Sequence, residues 1–434
     1  MNIMQICQQT KSASLKLAAA GTAEKNKALL YIADMLLSQK EAIFSANQKD
    51  LQRSEAENIP FPLLKRLKFD ESKLSEVVDG IYSLIELEDP VGKTLLSTEL
   101  DEGLELYKVT CPIGAIGIIF ESRPDALVQI STLCLKSGNG ALLKGGSEAR
   151  ETNKILASLI ITASEAAGMP EGWCVLLETR SDINELLKQD MNVDLIIPRG
   201  SNEFVRYIMN NTSIPVMGHA DGICHCYIDS SANPEMALRV VIDSKMQYVS
   251  VCNALETLLV HRDIARTFLP QLKKAADEKH LELYGCRNTL AVIPVMSAGE
   301  EAWKTEYLDY KLSVKVVKSL DDAIDHINTY GSGHTDSIIT SYTEHAARFM
   351  SLVDSGNVFW NCSTRFSDGY KYGLGAEVGI STGKLHARGP VGLEGLIIYK
   401  YKLLGHGQVV ADYATKKSFF KHKPLNKNFP LTEV

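Results

Sequence analysis

The 434-residue chain predicts an α/β protein: two successive units of alternating strands and helices, with a hairpin ahead of them. Three observations carry this. From residue 113 short apolar runs alternate with helix-length amphipathic runs, the pattern of a parallel sheet covered on both faces. The alternation breaks near residue 219 and starts again. A hairpin near 98–108 and a strand near 394–402 stand outside it.

Residues 12–88 repeat apolar positions at helical spacing. Ala18, Leu29, Leu30, Ile32, Leu36 and Leu37 make one stripe, with Leu51 and residues 74–87 making others. A hairpin follows, with strands at 98–100 and 104–109 about a turn at Asp101-Glu-Gly103. Strands are then predicted at 116–120, 141–144, 174–177 and 193–197, with helices at 125–135, 148–167 and 183–188 between them. The second unit has strands at 224–228, 257–260, 314–317 and 337–340 and helices at 235–246, 265–278 and 320–329. Residues 361–390 are rich in Gly, Ser, Thr, Lys and Arg without an apolar period; a long loop inside a compact domain is read as functional. From about 411 the chain is basic, holds two prolines and reads as a tail.

Composition narrows the function. The chain is 45% hydrophobic and 23% charged with a net charge of −7, ordinary for a globular protein of two or three domains. No basic face is evident, which argues against a nucleic-acid partner. No apolar run is long enough to span a membrane, and the first residues lack the basic and apolar regions of a secretory signal. The nine cysteines are odd in number and lack CxxC pairs. They read as reduced thiols in a cytoplasm.

Cys252 is the candidate nucleophile. It precedes Asn253, Ala254 and a run of strand formers, so its thiol stands at the mouth of a strand and can face a cleft. There is no GxGxxG. The stronger nucleotide signal is Ala141-Leu-Leu-Lys144 followed by Gly145, Gly146 and Ser147: a strand ends in a lysine, a glycine pair turns the chain, and Ser147 can cap the next helix. Nucleotides bind at the carboxyl ends of such strands. His219, Cys224, His225 and Cys226 resemble a metal cluster, but strand alternation points His225 away from the two cysteines, and no metal is expected.

The segments Pro112-Ile-Gly-Ala-Ile-Gly-Ile-Ile-Phe-Glu-Ser-Arg-Pro-Asp125, Leu133–Gly146, Ile197-Pro-Arg-Gly200, Gly218–His225, Cys252-Asn-Ala-Leu-Glu256, Gly373-Leu-Gly-Ala-Glu377 and Leu385-His-Ala-Arg-Gly-Pro390 resemble, in order, those of the γ-glutamyl phosphate reductases, in the aldehyde dehydrogenase superfamily. The resemblance implies an aldehyde dehydrogenase-like fold: an NADP-binding domain at 1–92 and 109–218, a catalytic domain at 219–388, an oligomerisation element at 93–108 and 389–410, and a tail at 411–434. It implies NADPH-dependent reduction of L-glutamyl 5-phosphate through a Cys252 thioester, the second step of proline synthesis from glutamate. Lys144 would face the adenosine ribose and its 2′-phosphate. Gly200 and Ser201 would form the superfamily's second glycine turn, offering N–H groups to the diphosphate. Glu306 would meet the nicotinamide ribose. Arg123, Asn361, Arg365 and Arg388 are the candidate substrate contacts, because guanidinium groups bind phosphate and carboxylate in a forked manner. A homo-oligomer, at least a dimer, and contact with a glutamate 5-kinase are implied partners. The superfamily's hydrolytic members carry a glutamate base in a segment that here reads Ile214-Pro-Val-Met-Gly-His219, and an oxyanion asparagine where this chain has Glu121-Ser-Arg-Pro124. The alternatives are a hydrolytic aldehyde dehydrogenase and an inactive scaffold of the same fold.

Overall fold

The structure is a computed structural model and describes residues 2–59, 61–121, 123–178, 181–219, 221–374 and 377–431. Five helices open the chain (Ile3–Leu17, Thr22–Ser38, Lys40–Ala56, Phe61–Leu67 and Glu71–Glu86), matching the helical spacing of 12–88 and extending it to residue 3. The first parallel sheet holds four strands in the order Cys174–Leu176, Gly140–Gly145, Ala115–Phe120, Leu195–Arg199. The earliest of these strands lies inside the sheet, with later strands on both sides. The order therefore reverses between Ala115–Phe120 and Leu195–Arg199, and a crevice opens there at the carboxyl ends of the strands. All six residues of Ala115–Phe120 and of Gly140–Gly145 are buried, as expected of strands covered on both faces.

The second parallel sheet has seven strands, in the order Met296–Ser297, Glu282–Gly285, Lys311–Val317, Leu255–His261, Cys224–Ile228, Thr335–Ile339, Asn357–Trp360. Its central strands carry the buried apolar runs Leu258-Leu-Val260 and Tyr227-Ile228. Helices Pro234–Met246, Arg262–Glu278, Leu320–Tyr330 and Thr343–Leu352 cover it. Every strand predicted in this unit is present. The strands at Glu282–Gly285 and Asn357–Trp360 were not predicted, since each is four residues long and carries no clear alternation.

Two expectations change. Residues 411–434 are not a free tail over the described part: Lys423–Pro424 pairs antiparallel with Thr94–Asp101. The third sheet thus runs Ile397–Leu404, Leu104–Pro112, Thr94–Asp101, Lys423–Pro424. Phe429 anchors this end, 5% exposed and edge-on to Tyr107 at 5.4 Å, with Lys402 Nζ 4.0 Å above its ring. A single buried aromatic was too weak a signal to find in a basic stretch; residues 432–434 of the predicted tail lie outside the described residues. Ser147, expected to cap the next helix, lies in a 3-10 turn instead. Helix Arg150–Ala166 is capped from another element: Asp50 accepts from the Glu151 and Thr152 N–H groups at 3.2 and 2.8 Å. Its carboxylate satisfies orphan donors at the positive end of the helix dipole.

Candidate active site

Cys252 lies in the loop between helix Pro234–Met246 and strand Leu255–His261. Three contacts fix that loop. Asn253 Nδ2 donates to the Ser367 carbonyl at 2.7 Å, and Thr364 Oγ1 to the Asn253 carbonyl at 2.7 Å, so the 361–390 segment grips the residue after Cys252. Cys224 Sγ, on the neighbouring strand, donates to the Cys252 carbonyl at 3.2 Å. Gly222 packs against the cysteine itself: a Cβ there would lie 2.2 Å from Cys252 O and 2.4 Å from its Cα. No side chain fits at 222 while Cys252 keeps its place.

Behind the loop, Lys245 and Glu256 form an ion pair at 2.7 Å with both side chains fully buried. Burial pushes the Glu256 carboxyl up to about 7, with Lys245 opposing, and burial likewise pulls Lys245 below its ordinary value. The pair ties the helix before the loop to the strand after it.

Cys252 faces a cleft of about 590 Å³ between the two parallel sheets, within the size range of small-molecule sites. Its walls include Arg123, Arg199, Gly200, Ser201, His219, Cys252, Glu306, Arg365 and Glu377. The structure therefore brings together six of the predicted residues: Arg123, Gly200, Ser201, Cys252, Glu306 and Arg365. Arg199, at the end of strand Leu195–Arg199, was missed. Burial, then the adjacent Arg123, draws its guanidinium below the usual range, while Glu377 opposes them. Glu377, raised by burial, accepts from the Gly369 N–H at 2.7 Å. Arg365 Nε donates to Gln247 Oε1 at 2.9 Å, which aims the side chain from the long loop into the cleft wall. Across the mouth, Asn202 Nδ2 donates to Glu306 Oε2 at 2.6 Å.

Asn361 and Arg388 are not in the cleft walls. Asn361 has a left-handed backbone (φ 57°), and its amide makes two 3.0 Å bonds with the Thr340 backbone, splicing two strand ends. Arg388 is spent on Asp354, through Oδ1 at 2.8 Å and the carbonyl at 2.9 Å, and on the Thr382 carbonyl. Both sit in the segment composition marked as functional, but they hold that segment to the sheet.

The glycine pair Gly145 and Gly146 and Ser147 line a separate small hollow at the carboxyl end of strand Gly140–Gly145, together with Arg150, Asn153 and Lys154. A Cβ at Gly145 would meet Asn153 Nδ2 at 2.1 Å, so any side chain there would displace the Asn153 amide. Lys144 is 6% exposed and its ammonium donates to the Gly145 carbonyl at 2.5 Å. At the second glycine turn the Ser201 N–H is not open to a diphosphate: it donates to Glu121 Oε2 at 3.0 Å.

The sequence matches the model of the aldehyde dehydrogenase family over residues 1–309. It is 70% identical over 431 residues to a γ-glutamyl phosphate reductase of Acetivibrio thermocellus, covering 99% of this chain and 100% of that protein. The chain belongs to the γ-glutamyl phosphate reductases, within the aldehyde dehydrogenase family. A second reductase of that name, from Pelotomaculum thermopropionicum, is 67% identical over 99% of each chain. The crystal structure of the γ-glutamyl phosphate reductase of Thermotoga maritima superposes with a TM-score of 0.92 at 38% identity, covering 94% of this chain and all of that one. The aldehyde dehydrogenase fold expected from sequence is thereby established for this reductase. No helix among its described residues is long and apolar enough to cross a membrane.

Proposed function

We propose that this enzyme reduces L-glutamyl 5-phosphate to L-glutamate 5-semialdehyde and phosphate, with NADPH as reductant and Cys252 as nucleophile. The observation that carries the proposal is the convergence of one thiol and three guanidinium groups, Arg123, Arg199 and Arg365, on a single cleft between the sheets. The substrate has an acyl phosphate and an α-carboxylate, and forked guanidinium contacts suit both. Held there, the acyl carbon is attacked by the Cys252 thiolate. An S–C bond forms, the C–O bond to phosphate breaks, and phosphate departs among the arginines. When bound, with Glu306 at its ribose, NADPH would supply the hydride for reduction of the thioester. Cys252 is released as the aldehyde carbonyl re-forms.

The residues fit a dinucleotide with one change from the sequence expectation. The small hollow at Gly145, Gly146 and Ser147 would meet the 2′-phosphate end, with Arg150 and Lys154 in its wall and Lys144 next to Gly145 in the chain as the cations at hand. Glu306 stands at the cleft where a ribose would lie. Because Glu121 holds the Ser201 N–H, diphosphate binding at that turn requires Glu121 to swing away. The reaction is the second step of proline synthesis from glutamate, so it consumes the product of a glutamate 5-kinase. Direct hand-over of the labile acyl phosphate from such a kinase belongs to the same reading.

Running the reaction backwards tests it. With semialdehyde and NADP⁺ but no phosphate, we expect about one NADPH per active site and then near-arrest. Adding inorganic phosphate should give continuous turnover. General-base activation of water is worth roughly 10²–10⁴-fold, so the contrast is large. Steady, phosphate-independent release of glutamate would instead assign a hydrolytic dehydrogenase, and no burst at all an inactive scaffold.

A further inference from the structure

The cysteine does not face the cleft alone. A ring nitrogen of His219, a ring nitrogen of His334 and the Cys252 sulfur lie within 4.8 Å of one another. The two imidazoles meet edge to face, with centroids 4.9 Å apart. His219 and His334 come from different elements: His219 precedes strand Cys224–Ile228, and His334 precedes strand Thr335–Ile339. Parallel pairing of those two strands brings them side by side.

Each histidine is held as metal-binding histidines are. His219 Nδ1–H donates to the Ile380 carbonyl at 2.7 Å, which leaves Nε2 as a lone-pair donor. Such second contacts orient ligating imidazoles in metal sites. His334 is fully buried, its Nδ1 lies 2.8 Å from Thr335 Oγ1, and its Nε2 has no hydrogen-bond partner. Burying a polar nitrogen without a partner costs free energy that a ligand would recover. Two imidazoles and a thiol are a donor set that zinc prefers, and three protein ligands leave a fourth position open.

We infer that His219, Cys252 and His334 form a site for a thiophilic divalent cation such as Zn²⁺, and that its occupancy silences the nucleophile. Binding replaces the thiol proton: Zn²⁺ joins the sulfur, and one proton leaves to solvent. Ligand atoms around tetrahedral zinc stand roughly 3.4–3.6 Å apart, so the three groups close by about an ångström through side-chain rotation. The site itself rests on geometry alone; the loss of activity rests on the proposed role of Cys252.

The intact enzyme is titrated with Co²⁺ as a spectroscopic probe, and Zn²⁺ is then added in competition. One Co²⁺ per chain is expected, with a thiolate-to-cobalt charge-transfer band and the intense d–d bands of tetrahedral cobalt, all displaced by Zn²⁺. Cys252→Ser should abolish the charge-transfer band. His219→Asn and His334→Asn should each weaken binding by at least the roughly 10–100-fold that losing an outer-shell partner costs. Should buried His334→Asn fail to fold, the part-exposed His219→Asn decides alone. Zn²⁺ should stop turnover, and a chelator should restore it. A charge-transfer band that survives in Cys252→Ser, or affinity unchanged in His219→Asn, would overturn the site, the latter by reducing it to simple thiol capture. Binding that passes these tests but leaves turnover intact would uphold the site and overturn Cys252 as nucleophile.

Discussion

A serine at position 252 would preserve the shape of the loop and remove the thiolate. Cys252→Ser is expected to fold, to bind NADPH and to lose nearly all turnover, because a hydroxyl stays protonated at neutral pH where a thiol is partly ionised. Cys134→Ser and Cys226→Ser should keep most activity in the same NADPH assay. Both thiols are fully buried, and burial pushes Cys134 up to about 12 and raises Cys226 strongly as well. Arg199 is the second test. If its guanidinium holds an anionic group of the substrate, Arg199→Met should raise the KM for phosphate or semialdehyde about 10–100-fold, the equivalent of a charge-assisted contact of roughly 1.5–3 kcal/mol. An unchanged KM would make it a structural cation. Cys252 was legible as a candidate mainly through the resemblance of Cys252-Asn-Ala-Leu-Glu256 to the reductases; its place before an apolar strand was a weak signal alone. Arg199 was not, because attention fell on the Gly200–Ser201 turn beside it; its place at the carboxyl end of a parallel strand was the available signal. Asn361 and Arg388 were overread for the opposite reason: composition marks a functional segment but does not say which side chains turn inward and which tie it down.

Helix Pro234–Met246 and strand Leu255–His261 hold the Cys252 loop between them, and the Lys245–Glu256 pair is their buried link. A carboxyl raised by folding from 4.5 to about 7 stabilises the fold most below the unfolded value. As pH rises through that window the unfolded chain ionises first, and the contribution is lost. The full span corresponds to about 3 kcal/mol. The wild type should therefore lose stability between pH 5 and 7 relative to a Lys245→Met/Glu256→Met variant, read as the difference in Tm across that range. A difference independent of pH would show Glu256 to be ionised throughout. Removing Lys245 alone should cost about 3–5 kcal/mol, because it strands a buried carboxyl. The elements themselves were mostly legible. Strands such as Cys224–Ile228 and Ala115–Phe120 are continuous apolar runs between helices, a pattern set by burial on both faces. The pairing of Lys245 with Glu256 was not legible, since it depends on how a helix lies against a strand.

Across the whole molecule, strand Ile397–Leu404 forms one edge of the third sheet and exposes Ile398, Tyr399, Tyr401 and Leu403. An open edge of this composition favours pairing with another chain, and two-fold symmetry is the commonest solution. Light scattering should find at least a dimer, and Tyr401→Glu with Leu403→Glu should shift it towards monomer; a monomeric wild type would reject this. Deleting 394–408 would be a poorer test, because Leu396 is fully buried in the core that includes Ile116 and Leu143. The opposite edge carries a different consequence. Ser97 Oγ donates to the Leu425 carbonyl at 2.8 Å across a separation of 328 residues, and Lys423–Pro424 covers the outer side of Thr94–Asp101. During synthesis that outer strand emerges early and waits for nearly the entire chain before its cover arrives. Until then it presents an unpaired edge, in a nascent protein whose first core also waits for Val391, Leu393 and Leu396, and an unpaired edge leaves a ribosome-bound chain open to mispairing.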